Sequence, residues 1–145
     1  MPSRPSVSKP APRRSPLRSA WRPPAASMPR STRGAEAHLL GLTGKLIAGL
    51  HEIAGNRLRL IGPDDLVDRL ALVSFAIEGT HPHDLCQILD RHGVALRGGH
   101  HCAQVLHDRF GIAGSARASL AAFNDDGDID ACLRALEDAM RILLP

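Results

Sequence analysis

The segment Arg97-Gly98-Gly99-His100-His101-Cys102-Ala103-Gln104 sets a single thiol in a stretch rich in glycine and histidine. A thiolate is a strong nucleophile, and Arg97, a protonated imidazole or the start of a following helix would each favour that charged form. Glycines allow unusual backbone angles and close approach to a ligand, so the segment suits a mobile, reactive sulfur. Cys102 is the candidate nucleophile, with His100 and His101 in the same loop. Two other readings remain open at this point. His100, His101 and Cys102 could join His81 and His83 as metal ligands, or the segment could be a surface loop with incidental histidines. Adjacent His-His-Cys positions point in different directions and lack regular ligand spacing, so no metal site is expected. No G-x-S-x-G context supports a serine nucleophile.

The remaining cysteines need separate treatment. Three cysteines without CxxC spacing argue against both a disulfide framework and a four-cysteine zinc site. Cys132 shares a helical face with Ile129, Leu133, Leu136, Met140 and Leu143, which makes it a core residue. Cys86, beside Leu85, Ile88 and Leu89, reads as a half-buried structural thiol.

Several elements must position the reactive loop. Helical spacing of Leu39, Leu40, Ile47, Leu50 and Ile53 predicts a helix from Glu36 to about Ala54, ended by Gly55-Asn56. Arg57 to Ile61 alternates polar and apolar residues as a half-buried strand should, and Leu70 to Ile77 reads as a more central one. His81 to His92 is a helix with Pro82 at a favoured early position and Gly93 past its end. Val94 to Arg97 is the third expected strand, followed by a loop from Gly98 to Cys102 and a short helix near Ala103 to Phe110. A strand near Ala116 to Ala121 and a last helix from about Asp126 complete the series, with the preceding aspartates matching that helix's positive end. Such alternation implies a small α/β or α+β domain, helices covering one face of a three- to four-stranded sheet.

Length and charge bound the rest. At 145 residues the chain has room for one ordinary domain. Residues 1–35 hold eight basic residues, eight prolines, seven serines and no acid, so they cannot repay the entropy of ordering and are expected to be a disordered arm. The composition also matches a transit peptide, but the prolines would break its amphipathic helix; a displaced start is the alternative, with Met28 available as an initiator. Positions 36–145 form the domain, with 10 basic against 15 acidic residues, a net charge of about −5. The basic character of the whole chain therefore belongs to the arm, and no specific nucleic-acid surface is expected on the domain. With no apolar run of about 18 residues and no secretory h-region, a cytoplasmic location without membrane contact is expected.

The string VSFAIEGTHPHDLCQILDRHGVALRGGHHCAQ, followed by SARASLAAFND, resembles the C-terminal domain of group II, Suf-type cysteine desulfurases, relatives of selenocysteine lyases in aminotransferase class V. The likeness runs from about Glu36 to about Leu144, and its most specific element is RGGHHCAQ with ARAS beginning fourteen residues after the cysteine. It implies the small domain of a fold-type I pyridoxal phosphate (PLP) enzyme. In that family the cysteine of the motif takes sulfur from PLP-bound L-cysteine, releasing alanine and becoming a persulfide that feeds iron–sulfur cluster assembly; Cys102 matches it. Arg117 matches the arginine that binds the substrate carboxylate, a role suited to a planar guanidinium. Arg97 matches an arginine near the active site, and His100 and His101 line the loop.

The resemblance also implies a homodimer, a small sulfur-acceptor protein and a larger domain whose Ser-x-His-Lys segment holds PLP. Lys9 and Lys45 are the two lysines here and neither has that context. Val105 stands where the family usually has proline, and His107 where methionine is common. A truncated desulfurase is therefore expected, inactive unless a separate PLP-domain chain or desulfurase subunit complements it. The alternatives are a non-catalytic sulfur relay or binding module and a nonfunctional remnant.

Overall fold

The protein is described here by a computed structural model covering residues 32–144. Most of the basic arm thus lies outside the described residues, but its last positions do not. Helix α1 runs from Thr32 to Ala54, four residues earlier than its apolar spacing predicts, because Ala35, Glu36 and Ala37 are good helix formers that need no buried face. After a single 3-10 turn come β1 (Leu58–Ile61), β2 (Leu72–Ile77), α2 (Pro82–Arg91), β3 (Arg97–Gly99), α3 (Gln104–Phe110), β4 (Ser115–Ser119) and α4 (Asp126–Leu143). The architecture is α+β, as the alternation implied.

All four strands form one antiparallel sheet in the order β1-β2-β4-β3. Period-two alternation sorts their side chains onto two faces. Val73, Phe75, Ile77, Ala116 and Ala118 are buried on one, where they join Leu46 and Leu50 of α1, Leu85 and Leu89 of α2, and Ile129 and Leu136 of α4. The other face carries Leu72, Ser74, Ala76 and Arg117, all only half-buried. Among the described residues no helix is long and apolar enough to cross a membrane.

Local chemistry ends the helices where the sequence suggests. The His81 side chain accepts a hydrogen bond from the His83 amide at 3.3 Å, with Pro82 starting α2. Asp125 and Asp128 bond reciprocally in a capping box at the start of α4, satisfying amides that the helix itself leaves open. Cys132 is buried in the core, and burial pushes its thiol up to about 11; Cys86 is half-buried and raised for the same reason.

All four strands differ from expectation at a boundary, β1 by a single residue, since Arg57 closes the 3-10 turn before it. The central strand begins at Leu72, since Leu70 remains 80% exposed. β4 starts one residue earlier and ends at Ser119. Strand three is Arg97–Gly99 rather than Val94 to Arg97, so Gly98 and Gly99 pair with β4 instead of lying in the loop. Val94 and Leu96 pack against the core without laddering. Gly98 is required by close approach: a Cβ there would sit 3.0 Å from the Pro82 carbonyl and 3.2 Å from Cys86 Sγ. Glycine thus lets α2 press against the strand that leads to Cys102.

Phe75 is the largest fully buried side chain among the described residues, 1% exposed, and lies between Leu60 of β1 and Ala116 of β4. Phe75→Ala is expected to cost about 3–5 kcal/mol, a large share of the roughly 5–15 kcal/mol that domains possess. Urea unfolding should show the midpoint falling at unchanged slope, and a loss under about 1 kcal/mol would mean that the sheet face is not the core.

Candidate active site

Cys102 occupies the third position of a tight turn, His100 to Ala103, closed by the Ala103 amide donating to the His100 carbonyl at 2.8 Å. Both central residues are in the left-handed region, His101 at φ 52° and Cys102 at φ 63°. Neither is glycine, so each position is strained, and such conformations persist only where surrounding contacts over-determine them. The turn leaves Cys102 an exposed, free thiol.

Its two neighbours are tied to the start of β4. His101 Nε2 donates to the Ser115 carbonyl at 3.0 Å, which fixes the tautomer and leaves Nδ1 an acceptor, buried and without a hydrogen-bond partner among the described residues. Burial drives the His101 pKa below its ordinary value; the Ser115 bond opposes this, and the charges of Arg117 and Arg97, with His107, reinforce it. His101 is therefore neutral near pH 7. His107 is 2% exposed and lies against both histidines of the turn, its ring centroid 5.5 Å from that of His100 and 6.1 Å from that of His101.

Beside the turn, the sheet register sets Arg97 directly opposite Arg117. With Ile61 and Ser74 they form one row across the half-buried face. Cross-strand partners stand about 4.5–5.5 Å apart at Cβ, and like charges there are destabilising. Neither guanidinium is ion-paired to a carboxylate among the described residues, and Arg117 Nε is buried without a partner. Two cations held together and left uncompensated could receive a small anion, and the geometry that a guanidinium fork matches is that of a carboxylate. The thiol turn and the arginine pair are joined through β4, since His101 is bonded to Ser115, two residues before Arg117 on the same strand.

Of the five residues singled out in the sequence, Arg97 and Arg117 pair where β3 begins, and His100, His101 and Cys102 follow where it ends, opposite Ser115 at the start of β4. The rings of His81 and His83 stack 5.3 Å apart at the start of α2, and that of His83 lies against β3, where a Cβ on Gly98 would meet its Nδ1 at 3.3 Å. Among the described residues no group of three or more His, Cys, Asp or Glu is arranged to hold a metal. Sequence reasoning did not identify His107 or Ser115 as site residues. The available signal was the i, i+4 spacing from Ala103 to His107, which brings an imidazole back over the turn.

The family model for aminotransferase class-V matches residues 31–132. "Probable cysteine desulfurase 2" of Mycobacterium leprae is 44% identical over 109 residues, covering 72% of this chain and 26% of that protein. "Probable cysteine desulfurase" of Halobacterium salinarum is 47% identical over 78 residues, covering 54% and 19%. Among solved structures, the apo cysteine desulfurase of Thermococcus onnurineus matches with a TM-score of 0.69 at 33% identity, covering 76% of this chain and 27% of its own. The S-sulfonic acid form of the cysteine desulfurase CsdA of Escherichia coli gives 0.66 at 32%, covering 76% and 26%. The chain spans about a quarter of the length of most of these relatives.

Proposed function

The chain belongs to the aminotransferase class-V family, with cysteine desulfurases as its relatives, and from this we propose that it supplies the sulfur-accepting half of a cysteine desulfurase site. The observation that carries the reading is the exposed Cys102 turn at the end of β3, the strand that also pairs Arg97 with the uncompensated Arg117. Arg117 holds the carboxylate of L-cysteine, and Arg97 adds to the field that draws the anion in. Cys102 then receives the substrate sulfur: its Sγ forms the new S–S bond as the substrate C–S bond breaks, leaving alanine and a persulfide. His101, neutral and anchored, orients the turn. A small acceptor protein takes the sulfur onward for iron–sulfur cluster assembly in the cytoplasm, with a second copy of the chain as the family's dimer partner.

The described residues do not fit PLP, the cofactor of the family. Lys45 is ion-paired to Asp130 at 2.7 Å and Asp126 at 3.1 Å between α1 and α4, and its hydrogen bonds to Asp130 and Asp126 raise its pKa. A protonated, doubly paired ammonium is not the free amine that a Schiff base needs. PLP must accordingly be held by residues other than these.

The test mixes the full chain with the PLP-loaded large domain of a cysteine desulfurase and supplies L-cysteine. Alanine should form, with a persulfide mapped by mass spectrometry to Cys102; a purified mixture that makes no alanine rejects the catalytic reading. The doubly paired Lys45 favours a second reading, a relay in which Cys102 accepts sulfur from another protein's persulfide without PLP. That reading requires persulfide on Cys102 after exposure to a persulfidated donor alone.

A further inference from the structure

We propose that His107 is a positioning residue that clamps the Cys102 turn to β4. The inference deepens the reading of Cys102 as sulfur acceptor, but it concerns the thiol's placement and can be tested on the thiol directly.

Both ring nitrogens of His107 are engaged. Nδ1 donates to the carbonyl of Ala103, the residue after Cys102, at 2.9 Å. In the neutral ring with that tautomer, Nε2 accepts from the Ser115 hydroxyl at 2.9 Å. Ser115, wholly buried, is thus a hub: its carbonyl takes the His101 bond from one side of Cys102 and its hydroxyl takes His107 from the other. Three donors converge on the Ala103 carbonyl, the amides of Leu106 and His107 and the His107 ring.

This arrangement accounts for the strained backbone. Two successive non-glycine residues at positive φ cost of the order of 1–3 kcal/mol each, and the single turn bond from Ala103 to His100 is worth only about 1 kcal/mol. Side-chain anchors on both flanks supply the constraint that the turn itself lacks. Ser115 also precedes Arg117 by two residues on the same strand face, so the clamp fixes the sulfur relative to the carboxylate receptor. An apolar side chain in place of His107 could fill the space but make neither bond.

The experiment compares Cys102 alkylation by anionic iodoacetate and neutral iodoacetamide in the full chain, quantified by mass spectrometry with buried Cys132 as internal control. A sulfur held beside Arg97 and Arg117 favours the anion, whereas a general loosening of structure alters both rates alike. His107→Met should lower the iodoacetate-to-iodoacetamide ratio about five- to tenfold. His107→Asn, whose amide nitrogen can take the place of Nδ1, should keep the ratio within about twofold of the parent. Should His107→Met not fold, Ser115→Ala removes the hydroxyl bond and is expected to lower the ratio about threefold. A ratio unchanged in the folded Met and Ala variants, or lost equally in Asn and Met, overturns the proposal.

Discussion

Cys102→Ser should abolish sulfur uptake while leaving the domain's stability unchanged. The side chain is exposed and free, so a serine of nearly the same shape gives up no packing, and surface changes of this kind stay within about 0.5 kcal/mol. The chemical loss is of another scale. A hydroxyl without an adjacent base is a poor nucleophile at neutral pH, and persulfide and alanine formation in the reconstituted mixture should fall on the order of a thousandfold or more. The other thiols cannot compensate. Cys132, buried and shifted to about 11, presents roughly one thiolate in ten thousand near pH 7, and Cys86 is half-buried and shifted in the same direction. Persulfide found on Cys86 or Cys132 in the variant, or alanine production that survives it, would show that Cys102 is not the acceptor.

The different burial of the three thiols was readable in the sequence because burial is a periodic property and the Cys102 segment broke the period. Cys132 sits at helical spacing among Ile129, Leu136 and Met140, and the structure buries it. The starts of α2 and α4 were equally legible, since the fixed φ of proline and the charge of aspartates beside a helix's positive end act locally; the caps themselves, His81 and the Asp125–Asp128 box, were not read. Register was not. That Arg97 faces Arg117 depends on which residues of β3 and β4 pair, and nothing local encodes a pairing between positions twenty residues apart. The misplaced third strand has the same origin: Val94 and Leu96 look like strand residues by type, yet the ladder begins only at Arg97, just before the glycine that lets the backbone approach α2. His107 was unreadable for a related reason, because an imidazole on a helix acquires its role only when the turn before it folds back and β4 brings Ser115 under it.

Arg117 should show opposite effects on function and stability. Its Nε is buried without a partner and its side chain faces another guanidinium across the ladder, so the fold holds it at a cost. Arg117→Leu keeps apolar contact with the sheet and removes the repulsion; the substrate-free domain should melt at the same or a higher temperature, a gain of up to about 1 kcal/mol. Substrate capture should collapse. Losing one partner of a close charge pair costs about 2–5 kcal/mol, so kcat/KM for L-cysteine in the reconstituted mixture should fall about thirty- to several-thousandfold. Arg117→Lys should fall between, since a lysine restores the charge but not the two-pronged geometry that a carboxylate prefers. Arg97→Leu should have the smaller effect of the two leucine variants, because Arg97 is exposed and its field is screened by solvent. An Arg117→Leu variant that loses stability by more than about 1 kcal/mol while retaining substrate capture would make Arg117 a structural residue. The carboxylate receptor would then have to be sought away from the β3–β4 row.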